Sequence, residues 1–124
     1  MDLTPLIHAN AQVIQRYDRH GFTIGKKQFE GPVMVFPGQC LPWDMAGESP
    51  APEDFEQLLA LCDRIDIVFF GGGRRAQLPP PPVRQRFKSG RVGLEPMDTG
   101  AACRSFNVLL AEGRRVAAAL LPYA

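Results

Sequence analysis

The sequence predicts a single α/β domain in which three parallel strands, 65–70, 92–97 and 116–121, share one sheet, with antiparallel strands in the N-terminal part. Residues 65–70 and 116–121 are nearly continuous apolar runs, which is the pattern of strands covered on both faces. Helix-length segments separate the three strands, and helical crossovers of this length connect parallel strands. The chain of 124 residues has room for one such core and not for two, so we treat residues 1–124 as one domain.

The first third of the chain predicts short antiparallel strands. Residues 12–17 alternate, glycines separate segments 22–24 and 27–30, and residues 33–36 are apolar on both faces. Short connections that contain glycine make neighbouring strands antiparallel. These strands are expected either to form a second layer or to extend the parallel sheet.

A loop with three prolines is predicted at 38–52, and its tryptophan, Trp43, is expected to anchor it to the core. Three helices are predicted beyond this loop. The first has apolar residues at i, i+3, i+4 and i+7 from Phe55. The second follows the prolines at 79–82, which suit a first helical turn better than a ligand for proline-binding domains. The third spans 99–112 and ends before Gly113.

Charge is distributed unevenly along a chain whose net charge is only +1. Residues 44–66 hold seven acids and one base, a net charge of −6, whereas residues 74–91 hold six bases and no acid, a net charge of +6. This separation favours specific partners over general nucleic-acid binding, and the alternative is two solvated faces. Phe87 is the only aromatic residue in the basic stretch, so the stretch has few side chains that could stack on nucleic-acid bases.

The sequence indicates a protein of a reducing compartment that does not insert into a membrane. No apolar run approaches the roughly 18 residues of a membrane span, and residues 1–10 lack the features of a secretory signal. The spacing of Cys40, Cys62 and Cys103 fits neither a zinc site nor a disulfide framework. We therefore expect reduced thiols and a cytoplasmic location.

Two loops are predicted to meet at the carboxyl edge of the parallel sheet, which is where open α/β sheets bind ligands. Glycines in the first loop allow close backbone approach, and its two arginines could hold an anion. The second loop opens the longest helix, whose free N–H groups attract anions. The alternative is two turns that cap their elements, with Asp98 or Thr99 as helix N-cap. The candidate ligand- or partner-binding residues are Gly71, Gly72, Gly73, Arg74, Arg75, Asp98, Thr99, Gly100, Arg104 and Asn107.

Two polar residues of the third helix have two interpretations each. Arg104 shares a helix face with small and apolar residues, so its guanidinium is expected either to reach Asp98 or a bound carboxylate, or to lie on the surface. Asn107 either belongs to the ligand site or satisfies neighbouring backbone groups.

No catalytic constellation can be assembled from the residues. Asp98 begins the triplet Asp-Thr-Gly of aspartic proteases, but a strong helical pattern follows at once. Cys103 lies near a helix start, yet His8 and His20 are far away in sequence and no base can be named, so a packed cysteine is expected. We therefore predict a non-enzymatic interaction protein without metal or cofactor; the resemblance described next adds the assembly role. The alternative is a small anionic-ligand-binding protein or an uncharacterised enzyme that uses the same edge.

Residues 95–116 resemble the signature of a small domain-of-unknown-function family, also called the adipogenesis-associated domain family. The resemblance covers nearly the whole chain. It is supported by residues 67–73, by residues 78–80, and by residues 31–38, which Trp43 follows. The family includes the mitochondrial complex I assembly factor 3 type. The resemblance implies an α/β domain of three layers, two β and one α. It also implies a protein partner, a part in complex I assembly, a matrix location for the mitochondrial members and no catalytic residue.

Overall fold

The computed structural model describes residues 12–45, 47 and 49–124, in which eight strands and three helices follow one another. The elements are β1 (Ile14–Tyr17), β2 (Gly21–Ile24), β3 (Lys27–Glu30), β4 (Val33–Val35), β5 (Cys40–Pro42), α1 (Pro52–Ala60), β6 (Ile67–Gly71), α2 (Pro81–Ser89), β7 (Gly93–Met97), α3 (Thr99–Ala111) and β8 (Val116–Leu120). The α/β class and the order of predicted elements are confirmed.

The central sheet has the strand order β5-β4-β8-β6-β7. Strand β6 runs parallel to β7 and β8, and Phe69 aligns with Glu95 on one side and Ala118 on the other. The three predicted parallel strands therefore share one sheet. Strand β4 pairs antiparallel with β8, whereas β1, β2 and β3 form a separate antiparallel sheet. Both arrangements left open for the N-terminal strands thus occur, each in different strands.

The predicted loop at 38–52 contains a strand, so this part of the prediction is wrong. Strand β5 pairs antiparallel with β4 and aligns Cys40 with Val35 and Pro42 with Val33. It lies at the edge of the sheet, where proline is tolerated because no ladder hydrogen bond is needed on the open side. A strand of three residues that ends in proline gives no alternating pattern that could have indicated it.

Two hydrophobic clusters cover the two faces of the central sheet. Val68 and Phe70 of β6 point to the face packed by α1 and α2, while Phe69 points to the face packed by α3 and the small sheet. Strand side chains alternate between faces, which explains why a continuous apolar run marks this buried strand. The layers are therefore a helical pair, the mixed sheet, and a third layer that α3 shares with the small sheet.

Trp43 anchors its loop as predicted. Its ring is buried and lies edge-on to Phe55 and Phe70, with ring centroids 5.5 and 6.1 Å away. Its indole Nε1–H donates to the main-chain oxygen of Asp54 at 3.2 Å. The tryptophan thereby joins the loop to α1 and to β6.

Helix boundaries follow the predicted signals closely. Pro80 is the N-cap of α2 and Pro81 its first residue, so the proline run is a lead-in to a helix rather than a continuous polyproline segment. The Asp98 carboxylate accepts a hydrogen bond from the Ala101 amide at 2.9 Å and is the N-cap of α3. Gly113 adopts a φ of +79° just beyond the end of α3, which favours glycine.

The acidic and basic stretches meet where α1 packs on α2. Arg86 Nε lies 2.9 Å from a carboxylate oxygen of Glu56, and both side chains are about half exposed. Exposed pairs of this kind contribute about 0–1 kcal/mol. The two stretches of opposite charge are therefore neighbours in the fold, and part of their charge is already paired.

No helix within residues 12–45, 47 and 49–124 has the length and apolarity to cross a bilayer.

Candidate functional site

The two loops of the predicted edge lie side by side. The Gly73 amide donates to Thr99 Oγ1 at 2.8 Å, and the Thr99 amide donates back to the Gly73 carbonyl at 2.8 Å. The Gly72 amide donates to the Met97 carbonyl at 2.9 Å. These bonds continue the parallel ladder past the ends of β6 and β7 and fasten the start of α3 to the glycine loop.

These hydrogen bonds engage several of the backbone amides that an anion could use. The Gly72 and Gly73 amides are engaged within the protein, and the carboxylate of Asp98 occupies the start of α3. Buried Thr99 donates its own hydroxyl to the Leu121 carbonyl at 2.6 Å. These bonds join the two loops and cap α3, which agrees with the alternative interpretation of the loops as caps. Binding of an anion at this edge stays a prediction.

Close packing accounts for two of the glycines. A Cβ on Gly72 would lie 2.6 Å from the Arg75 carbonyl oxygen, and a Cβ on Gly100 would lie 2.6 Å from the Tyr17 hydroxyl. Neither position has space for a side chain. The glycines therefore serve the tight turn and the contact of α3 with β1.

Beside these hydrogen-bonded loops, the same edge of the sheet carries an arginine–tyrosine cluster. It is formed by Tyr17, Arg74, Arg104 and Tyr123. The Arg74 guanidinium carbon lies 5.6 Å from the centre of the Tyr123 ring. The rings of Tyr123 and Tyr17 are 5.5 Å apart and edge-on, and Arg104 Nη1 lies 3.5 Å from the Tyr17 hydroxyl. Arg104 thus contacts a tyrosine instead of Asp98, the partner considered from the sequence.

Neither tyrosine of this cluster is among the candidate residues that the sequence predicted. Tyr17 ends β1 and Tyr123 follows β8, and both come to the edge through strand order, not through any local motif. Arg74 and the neighbouring Arg75 are exposed, as predicted for a recognition surface. That the edge binds a ligand or a partner stays a prediction.

Asn107 lies away from the edge, about two turns along α3, and bonds to the backbone of β1. Its Oδ1 accepts from the Ile14 amide at 3.0 Å, and its Nδ2 donates to the Ile14 carbonyl at 2.8 Å. The side chain is buried, and the two bonds use both ends of its amide. We therefore assign Asn107 to the junction of α3 with the small sheet, which was the second interpretation of this residue.

Comparison with known proteins identifies the family. A family described as a protein of unknown function (DUF498/DUF598) matches residues 14–121. The chain belongs to this family. The resemblance inferred from residues 95–116 is thereby confirmed.

Curated relatives of this family member include NADH dehydrogenase [ubiquinone] 1 alpha subcomplex assembly factor 3 of Homo sapiens, which is 34% identical over 115 residues. The match covers 92% of this chain and 62% of the human protein, so the chain spans less than two thirds of that relative. An uncharacterised protein of Rhodobacter capsulatus is 33% identical over 92% of this chain and 87% of its own length.

Solved structures show the same fold in this DUF498/DUF598 protein and in bacterial relatives. A crystal structure described as an outer membrane protein from Bartonella henselae has a TM-score of 0.82 and 33% identity, covering 92% of this chain and 97% of the other. The solution structure of a Bordetella pertussis protein, described as an Mth938-like domain, has a TM-score of 0.76 and 26% identity, covering 100% and 94%.

Two of the cysteines, Cys62 and Cys103, are packing residues on opposite faces of the central sheet. Cys103 is buried in α3, and burial raises the pKa of its thiol to about 12. Burial also raises the pKa of the Cys62 thiol to about 11. Thiols in this state are poor nucleophiles at neutral pH, as predicted for Cys103. His20 is exposed beside the β1–β2 turn, while His8 and the segment 1–10 lie outside the described residues.

We expect a thiol reagent to label the folded protein mainly at Cys40. Cys40 is partly exposed, whereas Cys62 and Cys103 are buried. Burial raises the pKa of all three thiols, to about 11 for Cys62 and about 12 for Cys103. Mass spectrometry after iodoacetamide treatment at pH 8 should find Cys40 modified well before the other two thiols, and all three modified after denaturation. Rapid native labelling of Cys103 would contradict its assignment as a core residue.

Proposed function

We propose that this chain is a non-enzymatic assembly protein that helps to build respiratory complex I by binding a protein partner. Relatives 32–34% identical over about 90% of this chain are named NADH dehydrogenase [ubiquinone] 1 alpha subcomplex assembly factor 3, and this dehydrogenase is respiratory complex I. The proposal includes the cytoplasm as the place of action, where reduced Cys40, Cys62 and Cys103 are stable.

The proposal is carried by one feature of the edge: glycine amides are hydrogen-bonded within the fold, while arginine side chains are exposed to solvent. The Gly72 and Gly73 amides bond within the fold, while the side chains of Arg74, Arg75 and Arg104 face solvent. Arginine and tyrosine are enriched among residues that dominate protein–protein affinity. Recognition of a macromolecular surface suits this arrangement better than capture of a small anion or catalysis at the same edge.

Deletion of the gene in its own organism should lower the amount of fully assembled complex I. Blue-native electrophoresis and NADH oxidation by isolated membranes would measure this, with succinate oxidation as the control for general damage. Return of complex I with the wild-type gene would link the defect to this chain. Unchanged complex I in the deletion strain would refute the proposed function.

A further inference from the structure

In the arginine–tyrosine cluster, each of two arginines contacts a different member of one tyrosine pair. Arg74 comes from the loop after β6 and stacks on Tyr123, while Arg104 comes from the first turns of α3 and meets the hydroxyl of Tyr17. Tyr17 itself is buried and fixed against the fold, whereas Tyr123 is half-buried. The edge therefore offers two guanidinium groups around a partly exposed ring.

Contact with Tyr123 restricts the Arg74 side chain before any partner arrives, and Arg104 makes a longer contact of 3.5 Å with the Tyr17 hydroxyl. A guanidinium over an aromatic face, as at Arg74, gains a cation–π interaction and loses part of its rotamer freedom in advance. Side chains ordered beforehand cost less conformational entropy on binding. Planar guanidinium groups held in this way match carboxylates, which they bind through paired hydrogen bonds.

Within the part of the chain that the structure describes, these arginines have no acidic partners. Among the described residues, neither Arg74 nor Arg104 forms an ion pair, in contrast to Arg86 with Glu56. The carboxylates of the adjoining segments are occupied by main-chain amides. Asp18 accepts from His20 and Gly21 at 2.7 and 3.1 Å, and Asp98 accepts from Ala101 at 2.9 Å.

We propose that the cluster binds an acidic segment of the protein partner, whose carboxylates pair with Arg74 and Arg104 while an apolar side chain packs on Tyr123. This inference rests on the proposed function, since it describes the chemistry of the partner that an assembly protein would hold. Charge complementarity selects the acidic segment, and the exposed Arg75 next to Arg74 adds to the same positive surface.

Photo-crosslinking within cells tests this assignment. Arg75 is exposed and lies beside Arg74, so Arg75→p-benzoylphenylalanine places a light-activated group at the surface while Arg74 and Arg104 are kept. Mass spectrometry should identify a crosslinked segment rich in Asp and Glu. Adding Arg74→Glu or Arg104→Glu should lower the crosslink yield about tenfold, as expected for loss of a charged hydrogen-bonded contact.

Arg84→Glu is the matched control, because Arg84 is also exposed, lies in α2 outside the cluster and undergoes the same change of charge. Its crosslink yield should stay at the level of the parent. The inference is overturned by a neutral or basic crosslinked segment, by crosslinks to lipid or nucleic acid, by the absence of crosslinks, or by an equal loss with Arg84→Glu.

The two proposals fail in different ways. An acidic segment in a protein unrelated to complex I would keep the inference and refute the proposed function. Full rescue of complex I in the deletion strain by Arg74→Glu combined with Arg104→Glu would keep the proposed function and overturn the inference. Both arginines are exposed, so these variants are expected to fold, and an unchanged thermal midpoint would verify it.

Discussion

Asn107→Ala is expected to lower the free energy of unfolding by about 3 kcal/mol, because it leaves the amide and the carbonyl of Ile14 without partners. Both groups lie in a buried contact between β1 and α3, so water cannot readily replace the lost side chain. Chemical denaturation would measure the loss of stability. Hydrogen exchange should show the Ile14 amide among the groups that lose most protection.

Val108→Ala is the control for this substitution. Val108 is the next residue of α3, yet it is 57% exposed, so its truncation should change stability by no more than about 0.5 kcal/mol. Similar unfolding curves for Asn107→Ala and Val108→Ala would show that the Asn107 side chain is not needed to hold β1 on α3.

The parallel core could be predicted because its signals are local. An apolar run such as 65–70 marks a strand covered on both faces, and the helix-length segments between runs determine that the strands are parallel. Gly113 and the Asp98 N-cap mark the ends of α3 through backbone chemistry that depends on a few neighbouring residues. The meeting of the two loops at one edge then follows from the direction of the strands.

The side-chain contacts of the edge could not be predicted, because they depend on strand order. Tyr17 reaches Tyr123 only because the small sheet packs beside α3, and nothing near either tyrosine in sequence specifies that packing. Arg104 contacts the Tyr17 hydroxyl at 3.5 Å, a residue 87 positions away in sequence, so its sequence neighbours could suggest Asp98 or the surface but not this tyrosine. Asn107 likewise has a polar amide whose partner, Ile14, lies 93 residues away.

The acidic and basic stretches are separate in sequence but lie next to each other in the fold. Residues 44–66 and 74–91 suggested two faces of opposite sign, but α1 and α2 pack together and pair Glu56 with Arg86. Arg74 belongs to the same basic stretch and stacks on a tyrosine instead. A count of charges along the chain therefore predicts a charged surface without showing which charges remain available to a partner.

Thr99→Val should lower the free energy of unfolding by about 2–3 kcal/mol, although the two side chains have nearly the same shape. The Thr99 hydroxyl accepts from the Gly73 amide and donates to the Leu121 carbonyl, so valine leaves two main-chain groups without this partner. Thr99→Ser keeps the hydroxyl and should cost only about 1 kcal/mol for the lost methyl group. Urea unfolding of the two variants compares them directly, and a larger loss with serine than with valine would show that the methyl group, not the hydroxyl, fastens the glycine loop to α3.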